Sequence, residues 1–238
     1  MNGPLTVKVD KADGVNLVQA NLDRVFAVCQ ASPDICDSTT GNYVNALSQV
    51  LEDITRPLDT SMLRLTVRPL DVLAGAQSSL PSGAPRLVQR PFIGGLGMAV
   101  VVDMPSSMRM FSVDDAEALD VSEADAIEVA RKNLRDNLKP LADYEWPTAP
   151  KSLGLMSESQ YESSRLLLHD DWAPVAEALG GNLVVAIPAS DALVYGRGDS
   201  NEALDALRTL VDEVTRSAER PISKSLFRWS SERWEVVR

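Results

Sequence analysis

Three kinds of chemistry-bearing residue are scarce here. The chain of 238 residues holds two cysteines, one histidine and only 5% aromatic side chains. Cys29 and Cys36 lie seven apart with no second pair, which matches no zinc-ligand spacing. His169 is far from both in sequence, so neither sulfur has an evident base. With so few aromatics, aliphatic residues and alanine must fill most of the core. Long apolar runs are missing too. The longest, Met98-Ala99-Val100-Val101-Val102, is strand-sized and far short of the roughly 20 residues of a membrane span. Met1–Asp10 has no basic region followed by an apolar stretch, so no signal peptide is expected. The expected compartment is the cytoplasm, where both cysteines are expected as thiols.

Positive charge is in short supply as well. Lys and Arg number 23 against 34 Asp and Glu, for a net charge of −11. That balance speaks against sequence-independent nucleic-acid binding, which needs clustered cations on phosphates. It speaks equally against an anionic membrane surface. It suits solubility, and it suits a basic partner. Hydrophobic residues make up 45% of the chain, the usual globular share, and the length is enough for a core without staples.

Hydrophobic periodicity supplies the elements. Thr6–Val9 reads as a short strand. Leu17, Ala20, Leu22, Val25, Phe26 and Cys29 recur at near-helical spacing and predict a helix. A second helix is predicted over Ile35–Ile54, on Tyr43, Val44, Leu47, Val50, Leu51 and Ile54, and Pro57 stops it. Leu63–Leu70 alternates, as a half-buried strand does. Gly75–Pro85, rich in Ser, Gly and Pro, reads as a loop that bounds an N-terminal helical subdomain, 1–75, within a single domain, 1–238. Arg86–Ile93, Met98–Met104 and Met108–Ser112 predict an antiparallel meander, with Gly94-Gly95-Leu96-Gly97 as a turn.

Ser122–Asp125 has the form of a capping box and opens a helix on Ile127, Ala130, Leu134 and Leu138. Tyr144–Pro150 is an irregular link and Leu153–Met156 a short strand. Tyr161–His169 and Asp171–Leu179 read as helices, the second closed by Gly180-Gly181. Asn182–Pro188 is a buried strand with Ala192–Tyr195 beside it, and Asp199 or Ser200 caps a helix on Leu204, Leu207, Leu210, Val211 and Val214. Ile222–Trp229 and Trp234–Val237 predict a hairpin. Strands grouped between helices, with antiparallel returns, predict an α+β fold with a mixed, mainly antiparallel sheet.

Few motifs survive inspection. Gly94–Gly97 is followed by neither Lys-Ser nor Lys-Thr, and a strand comes next rather than a helix, so it is read as a turn and not as a phosphate loop. Arg197-Gly198-Asp199 is accounted for by a turn glycine and a helix cap. Ser163 or Ser164 nominally forms a triad with His169 and Asp191, but no glycine elbow flanks either serine. Asp114-Asp115 and Asp170-Asp171 are adjacent pairs, which point apart on a helix. Tyr161 and Arg165 are four apart and share a helix face, with Ser164 beside them. Asp191 follows a buried strand and a proline, where side chains point into clefts. An Arg165–Asp191 ion pair near Tyr161 is therefore expected, as a functional cluster or as a brace between helix and strand.

The run Tyr161, Ser164, Arg165, Leu166, then Gly181, Leu183, Ala186, Pro188, Asp191 and Leu193, resembles the YtpQ-like family of bacterial proteins. Ala130 with Asn133-Leu134-Arg135 matches the same family upstream, and the similarity is clearest over Val101–Val237. That family has no accepted reaction, cofactor or catalytic set, so the resemblance implies a soluble bacterial cytoplasmic domain. The reading that follows is a non-enzymatic, acidic binding protein for a basic protein partner, in the manner of an immunity or inhibitor protein. It expects no cofactor, no metal and no catalytic residue, and neither nucleic acid nor membrane as partner. The alternative is a small-ligand binder or hydrolase-like enzyme using Tyr161, Ser164, Arg165 and Asp191.

Overall fold

The computed structural model describes residues 5–10, 16–144, 146 and 152–237. The fold is α+β. The chain divides into two compact units, Met1–Leu58 with Asp103–Met108, and Asp59–Val102 with Arg109–Arg238. Among the described residues no helix is long and apolar enough to cross a membrane. Of the irregular link expected at Tyr144–Pro150, only Tyr144 and Trp146 fall within the described residues.

In the first unit β1 (Thr6–Asp10) pairs antiparallel with β2 (Asn16–Asn21). Asn16–Asn21 is thus a strand, not the first half of the helix expected over Leu17–Cys29. The strand ends at Asn21, whose Oδ1 accepts the Asp23 N–H at 2.7 Å in a turn just ahead of the helix. Helix α1 (Asp23–Ala31) follows, then a 3-10 turn at Pro33–Ile35 and α2 (Cys36–Thr55). That turn folds the end of α1 back onto the start of α2. Cys29 and Cys36 meet there with Cα atoms 4.5 Å apart and are joined as a disulfide, not thiols as expected. Asp53, near the end of α2, accepts from the Ser106 N–H and the Ser107 hydroxyl, each at 2.9 Å. Those two bonds tie Asp103–Met108 to this unit. Neither α1 nor α2 has a buried apolar residue.

The second unit opens with β3 (Leu63–Pro69), which runs straight into α3 (Leu70–Ser78). Gly75–Ser78, expected as loop, is therefore helical. Leu70 and Leu73 anchor the helix by seating over Gly97, where a Cβ would meet them at 2.9 and 2.6 Å. The strands β4 (Gln89–Pro91), β5 (Leu96–Asp103) and β6 (Met108–Met110) complete a four-stranded sheet of order β3-β5-β4, with β6 also on β5. The strand expected over Arg86–Ile93 is pared to three residues, with one further bridge from Leu87 to Ser112. Gly94 and Gly95 sit at φ of 58° and 80°, as the tight turn into β5 requires.

Helix α4 (Val113–Ala118) starts on a reciprocal Ser112–Asp115 capping box, and α5 (Glu123–Asn137) on Ser122, whose hydroxyl accepts the Asp125 N–H. Ile127, Ala130 and Leu134 of α5 are buried, as are Leu63, Leu65 and Val67 of β3, against which α5 packs. Asn133 fixes that crossing by donating to the Thr60 and Leu63 carbonyls.

The five-stranded sheet takes β7 (Leu153–Met156), β8 (Leu183–Ala189), β9 (Ala192–Arg197), β10 (Leu226–Trp229) and β11 (Trp234–Val237) in the order β11-β10-β8-β9-β7, all antiparallel. Every residue of β8 is buried. Val184 and Ala186 face α7 (Asn201–Ser217), whose Leu207 and Val211 close that side of the core. Leu183, Val185 and Ile187 face the other way by the two-residue period of a strand. Fully burying each such side chain contributes roughly 1.5–3 kcal/mol.

Candidate functional site

The candidate residues lie in a stretch without α-helical geometry. Glu162–Leu167 is a 3-10 turn rather than the expected α-helix, and a second 3-10 turn, His169–Trp172, leads into α6 (Ala173–Ala178). Every residue from Tyr161 to Leu168 is buried. The stretch packs on β3 to one side and on β8 and β9 to the other, so it fills the space between the two sheets of this unit.

A 3-10 turn has three residues per turn, so positions i and i+3 eclipse. Arg165 therefore meets Glu162, three residues before it. Its Nε donates to Glu162 Oε2 at 2.5 Å, Nη1 to the Lys139 carbonyl at 2.9 Å and Nη2 to the Tyr144 hydroxyl at 3.2 Å. The Arg165 and Glu162 side chains are 4% and 0% exposed, so this pair is dry. Burial pushes the Tyr144 phenol above its ordinary pKa, which keeps it neutral beside the guanidinium. Lys139 Nζ lies 4.3 Å from the centre of the Tyr144 ring, a cation–π contact. Asp191, expected opposite Arg165, is instead exposed at the turn between β8 and β9.

The backbone of this stretch is held by side chains from distant parts of the chain. A buried carbonyl outside regular structure needs a donor. Trp172 Nε1 donates to the Arg165 carbonyl at 3.0 Å and Trp234 Nε1 to Leu166 at 2.9 Å. Arg131 Nη1 serves Leu167 at 2.7 Å, and Trp229 Nε1 serves His169 at 3.2 Å. The rings form one continuous cluster. Trp146 and Trp172 are 6.1 Å apart, Trp172 and Trp234 5.8 Å, Trp234 and His169 5.8 Å, and His169 stacks on Trp229 at 5.5 Å. These separations are those of favourable aromatic pairs.

The nominal triad does not assemble. Ser163 donates its hydroxyl to the Ser190 carbonyl at 2.9 Å, and Ser164 Oγ accepts the Val67 N–H at 3.3 Å. His169 Nε2 lies 2.9 Å from the Ser230 carbonyl, so that nitrogen carries the proton. Both serines and the imidazole are thus committed to backbone groups. Tyr161 is 5% exposed and donates its N–H to Ser159 Oγ at 3.1 Å. Tyr161, Ser164 and Arg165 are brought together, but inside the core, while Asp191 stands at the surface. The residues that sequence reasoning passed over are Glu162, Arg131 and the indoles of Trp172, Trp229 and Trp234. The Glu162–Arg165 spacing of three was a signal for Glu162 alone.

Several clefts open on this unit. Asp191 lines one of about 590 Å³ with Ser157, Gln160, Ser190, Glu219 and Arg220. A larger and more apolar one, about 680 Å³, is bounded by Leu138, Pro140, Leu141, Trp146 and Pro174, with the Arg135–Asp171 ion pair at its edge at 2.8 Å. Compared with protein-family models, with curated proteins and with solved structures, the chain matches none.

Proposed function

We propose that the chain is a non-enzymatic, acidic binding protein of the YtpQ-like kind whose partner is a basic protein, as an immunity or inhibitor protein has. One observation carries this reading: Tyr161, Ser164 and Arg165 are all buried, and Ser164 and Arg165 spend their polar atoms on the fold. A catalytic or ligand-gripping arginine has to reach its ligand, whereas Arg165 is closed off by Glu162, Lys139 and Tyr144. The net charge of −11 supplies long-range attraction to a cationic partner. Purification of the tagged chain from its native cells at low salt, read by native mass spectrometry, is expected to yield a stoichiometric basic protein that leaves at high salt. A bare chain, or a retained small molecule, overturns the reading.

A second reading rests on the Asp191 cleft, whose size is that of a small-ligand pocket. On that reading Asp191→Ala abolishes ligand retention without loss of stability. The cytoplasmic location proposed from the sequence is tied to the state of Cys29 and Cys36. Thiol trapping that finds both cysteines free in the native cell supports it, and a bonded pair favours an oxidising compartment.

A further inference from the structure

We propose that the α1–α2 hairpin of the first unit is the partner-binding face and that it receives a basic amphipathic helix. This rests on the reading of the protein as a binder of basic proteins and assigns that binding a place. An amphipathic helix ordinarily turns its apolar stripe to a core. Here it does not. No residue of α1 is buried, and in α2 only Asp53 is, engaged by Ser106 and Ser107. Phe26 is 50% exposed, Val44 53%, Ile35 45% and Ile54 37%. Val25, Val28, Leu47, Val50 and Leu51 are only half-buried. Two packed helices with an open apolar surface are the receiving half of a helix-in-groove complex, which a third helix completes.

Charge selects the occupant. Asp23, Asp34, Asp37 and Glu52 stand exposed around the apolar residues, against Arg24 as the one base of the two helices and their turn. A helix with leucine-like residues on one face and lysine or arginine on its flanks complements both features. A second copy of this chain would set these carboxylates against each other, and phosphate or anionic lipid would meet the same repulsion. The disulfide between Cys29 and Cys36 holds the corner of the hairpin together, so the face is preorganised for its guest.

The test uses the full chain labelled with ¹⁵N and two synthetic amphipathic helical peptides as probes, one of leucine and lysine and one of leucine and glutamate. Binding of the lysine peptide is expected to shift amide signals within residues 23–55 and to weaken with salt. Phe26→Asp and Val44→Asp are each expected to weaken it at least about tenfold with an unchanged circular dichroism spectrum. Asp34→Lys combined with Asp37→Lys is expected to weaken the lysine peptide and strengthen the glutamate peptide. Shifts confined to other residues overturn the assignment of the face while leaving the basic-partner reading intact. Equal affinity for the two peptides removes the charge argument and the occupant with it. No shift at millimolar lysine peptide overturns both proposals. Dimerisation abolished by Val44→Asp identifies the occupant as a second copy and overturns the inference.

Discussion

The guanidinium of Arg165 and the carboxylate of Glu162 meet at 2.5 Å in a place that water does not reach. Removing one partner alone strands the other. Arg165→Ala is expected to cost roughly 3–5 kcal/mol in urea unfolding. The double substitution Arg165→Met with Glu162→Leu is expected to cost clearly less, because no charge is left buried. A loss under about 1 kcal/mol for Arg165→Ala alone would show that this pair is no brace.

Asp191 belongs to the other class. Its side chain is exposed, so Asp191→Asn is expected to leave the free energy of urea unfolding within about 0.5 kcal/mol of the parent. A loss several times larger would place this carboxylate in the structural network after all.

The indole donors make a third test. Trp234→Phe keeps a ring but removes the N–H that serves the buried Leu166 carbonyl. Stranding that acceptor is expected to cost roughly 1–3 kcal/mol in thermal or urea unfolding, beyond the change in packing. Trp229→Phe, at a half-buried position, is expected to cost less. Equal effects at the two sites would mean that ring volume, not hydrogen bonding, sets their contribution.

Acid sensitivity should trace in part to Asp115. Burial pushes its carboxyl upward, but the paired hydrogen bonds from Arg109, at 2.7 and 2.8 Å, and the Ser112 N–H outweigh this and hold it below the ordinary carboxylate value. A depressed carboxyl binds its proton less readily when folded. Its contribution is therefore present above the unfolded pKa, about 3.9, and is lost as pH falls through the folded value. Across that acid range the parent is expected to lose stability more steeply than Asp115→Asn. Parallel curves of stability against pH for the two proteins would exclude this origin.

Elements with strong, uninterrupted periodicity were legible in the sequence. The stripes of α5 and α7, the alternation of β3 and the apolar run of β8 all settle where their spacing predicts. The candidate site was legible as a segment but not as a geometry. Reading Tyr161–His169 as an α-helix put the weight on the spacing of four from Tyr161 to Arg165, whereas the pair that forms is Glu162–Arg165, at the spacing of three that a 3-10 turn eclipses. The donors from Arg131, Trp229 and Trp234 come from residues at least 36 positions away in sequence, and no local pattern encodes such pairings. Asn21 did carry a local signal, a turn-forming side chain, but the apolar spacing around it was the stronger pattern. The cysteines illustrate the same limit, since a spacing of seven says nothing until the turn at Pro33–Ile35 folds it shut.

All four tryptophans, Trp146, Trp172, Trp229 and Trp234, belong to the second unit and to one cluster within it. Intrinsic indole emission is therefore a local gauge rather than a global one. It reports the loosening of the Tyr161–Trp172 stretch and is blind to the Met1–Leu58 unit, which holds no tryptophan. Melting of the N-terminal helices has to be followed by another signal, such as helical circular dichroism, and any lag between the two traces measures how independently the units unfold.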